Sequence, residues 1–402
     1  MTSSQTVKFK TLDDADVAGK RVFVRVDFNV PLQDGEVADA TRLERALFTV
    51  RELMGKQARV ILLSHFGRPK GKVVSEMSLE PVAGAFSKVL GAAVKFVPGI
   101  TGEDVKQSID LLKDGEVLLL ENTRFFPGEE KNDPNFAKAI AAQGDLFVND
   151  AFSAAHRAHA TTEGITHFLP SFAGRAMERE LTYLAQALAA PKRPVMAVVG
   201  GAKVSTKLDV LHNLLSKADK IVVGGGMANT FLLAMDIDVG KSLAEPDLAG
   251  TAKDIMSKAA AKGCEILLPK DVVVSKEFAP NPQTQVKAAN AVAPDEMILD
   301  MGPDSVDSYA EALEVCATLI WNGPLGAFET PPFHTGTVEL ARFAAKLTKE
   351  GKLVSVAGGG DTVSALNMAG VAEDMTYIST AGGAFLEWME GKILPGVDAL
   401  KS

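Results

Sequence analysis

Short runs of apolar, β-branched residues punctuate the chain, and most stop abruptly at a polar or glycine-rich cluster. In the first half these runs are Val22–Val26, Val60–Leu63, Val117–Leu120 and Leu146–Val148. In the second half they include Val195–Val199, Ile221–Val223, Ile266–Leu268, Leu319–Trp321, Leu353–Val356 and Tyr377–Ile378. The apolar residues are continuous rather than alternating, which predicts strands buried on both faces of a parallel sheet. Segments with helical periodicity lie between them, such as Arg42–Met54, Pro81–Leu90 and Val204–Leu215. Strand–helix alternation predicts an α/β protein with a doubly wound parallel sheet in each half.

At 402 residues the chain is long for one hydrophobic core, so two domains are expected. The junction falls near Glu178–Pro194: Glu178–Leu184 reads as a helix ending before Pro191, and Pro194 precedes a fresh strand. The expected division is 1–185 and 186–385, joined by a helical hinge, with 386–402 as a tail packing back on the first domain. No solenoid-type repeat or low-complexity stretch is visible.

In doubly wound sheets the ligand sits beyond the carboxyl ends of the strands, where the polar clusters lie. The two halves supply different chemistry there. Eleven of thirteen arginines precede residue 190, and only Arg193 and Arg342 follow it. Every glycine before residue 190 is isolated, whereas the second half has Gly200-Gly201, Gly224-Gly225-Gly226, Gly358-Gly359-Gly360 and Gly382-Gly383. Arginine clamps carboxylates and phosphates with a rigid fork of donors. Glycine clusters before helices let backbone N–H groups wrap a polyphosphate. One half therefore reads as a site for a small anionic substrate and the other as a nucleotide site, which suggests phosphoryl transfer.

The strand ends of the first half carry Asp27 and Asn29, then Ser64-His65-Phe66-Gly67-Arg68, Glu121-Asn122-Thr123-Arg124 and His156-Arg157-Ala158-His159. Asp27 and Asn29 share one side of an extended segment, suited to hydroxyl groups. Arg42 opens the helix after the turn at Asp34-Gly35 and stays near the same rim. His156 and His159 have three-residue spacing, but nothing nearby completes a zinc ligand set. In the second half, Lys203 and Lys207 follow Gly200-Gly201 four residues apart, which predicts both ammonium groups on one face at the start of a helix. Asp361 and Thr362 follow the glycine triplet, where they would cap a helix or help hold nucleotide-bound Mg²⁺. Glu329 ends the Trp321–Glu329 segment, placed for ribose hydroxyls.

Composition narrows the choice. A net charge of −9 argues against a general polyanion binder, and 6% aromatic content leaves little to stack on single-stranded nucleic acid. Cys264 and Cys316 each lie in an apolar stretch, as expected of reduced, buried thiols in a cytoplasmic protein. No apolar run is long enough for a bilayer, and the first residues lack a signal core. Gly240-Lys241-Ser242 imitates the end of a P-loop, but Met235 stands where its first glycine belongs. The dinucleotide fingerprint is missing too, which disfavours a dehydrogenase.

The segments RVDFNVPL, SHFGRP, LENTRF, HRAH, GGAKVSTK, GGGM, WNGPLGAFE and GGGDT together resemble the phosphoglycerate kinase family, in its order and across essentially the whole chain. The resemblance implies reversible phosphoryl transfer between ATP and 3-phosphoglycerate, giving ADP and 1,3-bisphosphoglycerate. It also implies two Rossmann-like domains that close about a hinge, ordinarily in a monomer without nucleic-acid or membrane partners. By resemblance, Asp27, Phe28, Asn29, Arg42, His65, Phe66, Gly67, Arg68, Arg124 and Arg157 bind the glycerate. Arg42 and Lys203 act on the moving phosphoryl group. Lys207, Glu329, Gly359, Gly360, Asp361 and Thr362 hold the nucleotide, with Asp361 near Mg²⁺. Two places depart from the family pattern: Ala381 and Phe385 replace a glycine and a serine, and Ser153-Ala154 replaces Gly-Thr. A non-catalytic sensor with the same fold is the rival reading, weakened by retention of both Arg42 and Lys203.

Overall fold

The computed structural model describes residues 9–401, so the first eight residues of the expected 1–185 domain lie outside the described residues. The chain forms two compact units: residues 9–182 with 393–401, and residues 183–392.

The first unit is built on six strands in the order Val94–Val97, Val117–Leu120, Arg59–Leu63, Arg21–Arg25, Leu146–Asn149, Ser171–Ala173. Every pairing in it is parallel. Successive side chains feed opposite faces, as a pleated strand requires. Val22, Val24, Val60, Leu62, Leu119 and Val148 enter one core, while Phe23, Ile61, Leu63, Leu118 and Phe147 enter the other. Both faces are therefore buried, which explains the unbroken apolar runs. Val94–Val97 was not anticipated: it is an edge strand with an exposed Lys95, and its pattern alternates.

The second unit carries six parallel strands in the order Glu265–Leu267, Lys220–Val223, Val195–Val199, Thr318–Asn322, Val354–Gly358, Tyr377–Ser379. Numbered along the chain this is 3-2-1-4-5-6, the Rossmann order. Its switch point lies between Val195–Val199 and Thr318–Asn322. An antiparallel sheet of Thr284–Ala288, Asp271–Ser275 and Met297–Met301 is added to it, with Val272, Val274 and Ile298 packing on Leu232.

Helix Arg175–Leu184 runs into a wider π turn, Ala185–Ala189, before the strand at Val195. The returning tail begins at 393 rather than 386. Helix Gly383–Met389 stays with the second unit because it packs on Leu208–Leu214, and Asn213 Nδ2 donates to the Met389 carbonyl at 2.6 Å. The tail joins the first unit through Gly396, whose N–H donates to Ala155 O at 2.9 Å and whose carbonyl accepts from Asn149 Nδ2 at 3.3 Å. Phe9 and Lys401 form an antiparallel bridge. Among the described residues, no helix is long and apolar enough to cross a membrane.

Candidate active site

The carboxyl end of Arg21–Arg25 is the centre of the first unit's site. Immediately after it, Asp27 turns back so that Oδ1 accepts from Asn29 N–H at 3.1 Å. Its Oδ2 takes Arg42 Nη1 at 2.8 Å and Ser153 Oγ–H at 2.5 Å. Burial works against this carboxylate. The positive charge of Arg42, that of His65 when protonated, and the two hydrogen bonds outweigh it, holding Asp27 below the usual carboxylate range. Asn29 Oδ1 accepts from Gly67 N–H at 2.9 Å, and Gly67 O accepts from Arg124 Nη1 at 2.9 Å. Gly67 has φ +60°, and an added Cβ would meet Met77 Sδ at 2.8 Å, so this corner requires glycine.

Side-chain hydroxyls and amides fix the loop geometry from below. Phe28 N–H donates to Ser64 Oγ at 2.9 Å, and the Phe28 ring is buried against Phe86 with centroids 4.7 Å apart. Asn122 accepts from the N–H groups of Phe66 and Arg124 and donates to Phe66 O at 2.7 Å. The backbone donors of Phe28, Phe66 and Gly67 are thus committed within the protein, and these three residues shape the rim. Arg68 and Arg157 project into solvent, Arg42 and Arg124 are half-buried, and His65 is buried beneath them. Arg42 and Arg124 both lie close enough to His65, and Arg68 to Arg124, to disfavour each other's charge. A surplus of guanidinium groups gathered around one buried imidazole has the chemistry to attract an anion.

Sequence reading missed Arg25 as a working part of this site. The side chain is 1% exposed, with Nη2 3.0 Å from His65 Nδ1 and Nε donating to Thr161 Oγ1 at 3.1 Å. The available signal was a charge inside an apolar strand, two residues before Asp27. Ser153 was noted only as a departure from the family pattern; its hydroxyl reaches Asp27.

The second unit makes its site from main chain. Gly200 follows Val195–Val199 and lies against the loop after Thr318–Asn322; an added Cβ would fall 1.9 Å from Pro324 O. A Cβ on Gly323, at φ +105°, would be 2.2 Å from Gly200 O, so the two loops at the switch point touch backbone to backbone. A Cβ on Gly225, at φ +65°, would be 2.6 Å from Gly201 O. Gly359 has φ +97° and precedes helix Gly360–Met368. Thr362 Oγ1 accepts from Gly323 N–H at 2.7 Å, tying that helix to the switch-point loop.

Lys203 and Lys207 do not share a helix face. Lys203 is extended (φ −138°, ψ 132°), Val204–Thr206 is a 3-10 turn, and the α-helix starts at Leu208. Lys203 is exposed, whereas Lys207 points inward, its Nζ donating to Asn322 Oδ1. Burial lowers the Lys207 pKa, and the Asp361 and Glu390 charges partly restore it. Asn322 also donates to Gly358 O at 2.8 Å, linking the lysine to the glycine triplet. Asp361 and Glu329 are exposed. Phe385 is fully buried, and its ring lies where a Gly358 side chain would be, 2.5 Å from the Cβ position. Among the described residues no three His, Cys, Asp or Glu side chains converge on a metal position, so Asp361 is a lone carboxylate.

A Rossmann sheet with a glycine-lined switch point, together with a unit that concentrates arginines at its strand ends, defines a phosphotransferase architecture. The family model for phosphoglycerate kinase matches residues 12–392. A phosphoglycerate kinase of Sphingopyxis alaskensis is 63% identical over 395 residues, covering 98% of this chain and 99% of that protein. One from Brucella abortus is 63% identical over 393 residues, with 98% and 99% covered. Among solved structures, phosphoglycerate kinase from Coxiella burnetii superimposes with TM-score 0.92 at 41% identity, over 98% of this chain and 99% of that one. The Pyrococcus horikoshii enzyme gives 0.80 at 31% identity, over 97% and 98%. The chain belongs to the phosphoglycerate kinase family.

Proposed function

We infer that the chain catalyses reversible transfer of a phosphoryl group between ATP and the carboxylate of 3-phosphoglycerate. The observation that carries this reading is the family match over nearly the whole chain. In the direction of acyl phosphate formation, a glycerate carboxylate oxygen attacks the γ-phosphorus, the bond from that phosphorus to the β–γ bridging oxygen breaks, and ADP leaves. The acceptor is already ionised near neutral pH, since carboxyl groups have pKa values of about 4, so no base is needed. Mutual anion repulsion and misalignment are the barriers, and positioning with positive charge lowers both.

Arg42, His65, Arg68, Arg124 and Arg157 bind the phosphoglycerate anion, with Asp27 and Asn29 taking its hydroxyl. The backbone of the Gly359–Thr362 segment with Lys207 holds the nucleotide phosphates, and Glu329 the ribose. Arg42 and Lys203 act on the transferring group when the two units close and exclude water. The lone exposed Asp361 beside the glycine triplet suits Mg²⁺, which keeps few protein ligands and is held mainly by nucleotide phosphates. Mg²⁺ would supply neutralising charge on those phosphates. The enzyme acts in the cytoplasm as a monomer; the reducing compartment is supported by two buried free thiols, Cys264 and Cys316, whose burial pushes each up to about 11. A coupled assay with 3-phosphoglycerate and MgATP tests the reading. Turnover supports it, and saturable binding of both ligands without turnover would favour the sensor.

A further inference from the structure

A buried chain of polar groups runs from Glu129 to His65, and its hydrogen bonds are donated outward from Arg25 in both directions. Thr161 Oγ–H donates to Glu129 Oε1 at 2.6 Å, and Thr161 N–H donates to Glu129 Oε2 at 3.0 Å. The Thr161 oxygen accepts from Arg25 Nε at 3.1 Å. Arg25 Nη1 donates to Val26 O at 2.5 Å, and Nη2 lies 3.0 Å from His65 Nδ1. Glu129 and Thr161 are fully buried, Arg25 is 1% exposed and His65 8%. A guanidinium has five donors, no acceptor, and does not deprotonate in proteins. Nδ1 of His65 must therefore carry the lone pair.

We propose that Arg25 is a positioning residue that fixes His65 as the neutral Nε2–H tautomer, so that the imidazole serves the substrate anion as a hydrogen-bond donor and neither as a cation nor as a proton carrier. The inference rests on the phosphoglycerate reading only for the identity of that anion. Other groups around the ring act in the same sense. Arg25 from the strand, Arg42 from the helix at Thr41–Gly55 and Arg124 from the turn at Thr123–Phe125 oppose protonation, as burial does. Asp27 alone favours it, and its Oδ2 is engaged by Arg42 and Ser153. Glu129 at the far end supplies the negative charge that lets a buried guanidinium persist.

Two-bond ¹⁵N–¹H correlation spectra of the full-length protein, labelled in histidine, test this without substrate. His65 is expected as Nε2–H, with no titration between pH 5.5 and 8. An Nδ1–H tautomer, or protonation in that window, would overturn the proposal. Adding 3-phosphoglycerate is expected to shift the His65 Nε2–H resonance; an unmoved resonance while other rim signals shift refutes the donor role. No response anywhere on the rim would instead count against the phosphoglycerate reading. Arg25→Lys retains a donor-only group and is expected to keep the tautomer. Arg25→Met combined with Glu129→Gln, which leaves no unpaired buried charge, is expected to mix tautomers, restore titration and raise KM for 3-phosphoglycerate about tenfold with a smaller change in kcat. An unchanged tautomer in that double variant would show that Arg25 does not set it.

Discussion

The strand-end sites of the two units are built by different means. The first is made of long side chains whose positions depend on a web of polar partners: Asp27, itself held by Ser153, on Arg42, the Gly67 carbonyl on Arg124, and Arg25 on His65. In the second, peptide groups at Gly200, Gly225 and Gly323 pack so closely that a single added carbon has no room. A side-chain site localises charge at chosen points and titrates with its neighbours. A main-chain site carries partial charges that no pH change removes, and it tolerates little change in shape. On the proposed assignment, the glycerate anion would face side chains and the nucleotide would face backbone.

Four experiments would break or sharpen this contrast. Arg42→Ala is expected to lower kcat by roughly 10²–10³-fold, the range for loss of a transition-state charge contact, with MgADP affinity unchanged in calorimetry. A normal kcat with raised KM would make Arg42 a ground-state binder. Gly200→Ala is expected to cost about 3 kcal/mol in denaturant unfolding and to abolish nucleotide binding, because the Cβ meets Pro324 O and main chain must move. Retained 3-phosphoglycerate binding in that variant would confirm that the damage is local.

The third concerns pH. A buried carboxyl with a raised pKa sits at a helix start in each unit: Asp150 accepts from Ala176 and Met177 N–H, and Asp300 accepts from Gly336 N–H. Burial pushes each up to about 7 from 3.8. A carboxyl pKa raised by folding means the native state holds the proton longer, so its stabilisation is greatest below about pH 4 and falls as pH rises toward 7. Asp150→Asn is expected to flatten the pH dependence of unfolding in the first unit by on the order of 3 kcal/mol over that window, and Asp300→Asn in the second. Unchanged slopes would mean that the carboxyls ionise normally. The smallest effect is expected for the lysines: Lys207→Ala weakens ADP binding about tenfold, while Lys203→Ala mainly slows transfer. Equal effects on both quantities would remove the distinction.

Much of the scaffold was legible because buried parallel strands leave a coarse signature. Val117–Leu120 and Val195–Val199 fall where the apolar runs predict them. The start of the helix after Gly200-Gly201 was not legible. Val204–Leu215 has continuous helical periodicity, but packing between the glycine loops and helix Gly226–Ala234, whose Met227 N–H donates to Gly201 O, fixes the local path at long range. That is why Lys203 and Lys207 diverge. Arg25 illustrates the same limit: its partner Thr161 lies 136 residues away, so the sequence reads only a charge beside a strand end. Motif residues at strand ends were legible; the groups that orient them from behind were not.

The pairing of Phe9 with Lys401 makes the first unit continuous in space but interrupted in sequence. Cutting the chain after residue 182 therefore removes part of that unit, including the Gly396 contacts to Ala155 and Asn149. A permuted chain running 393–401, then a linker of about four residues, then 9–182 would restore a contiguous folding unit. It is the form in which the arginine-rich half is expected to fold and bind 3-phosphoglycerate alone, more stably than 1–182, by urea unfolding and NMR titration.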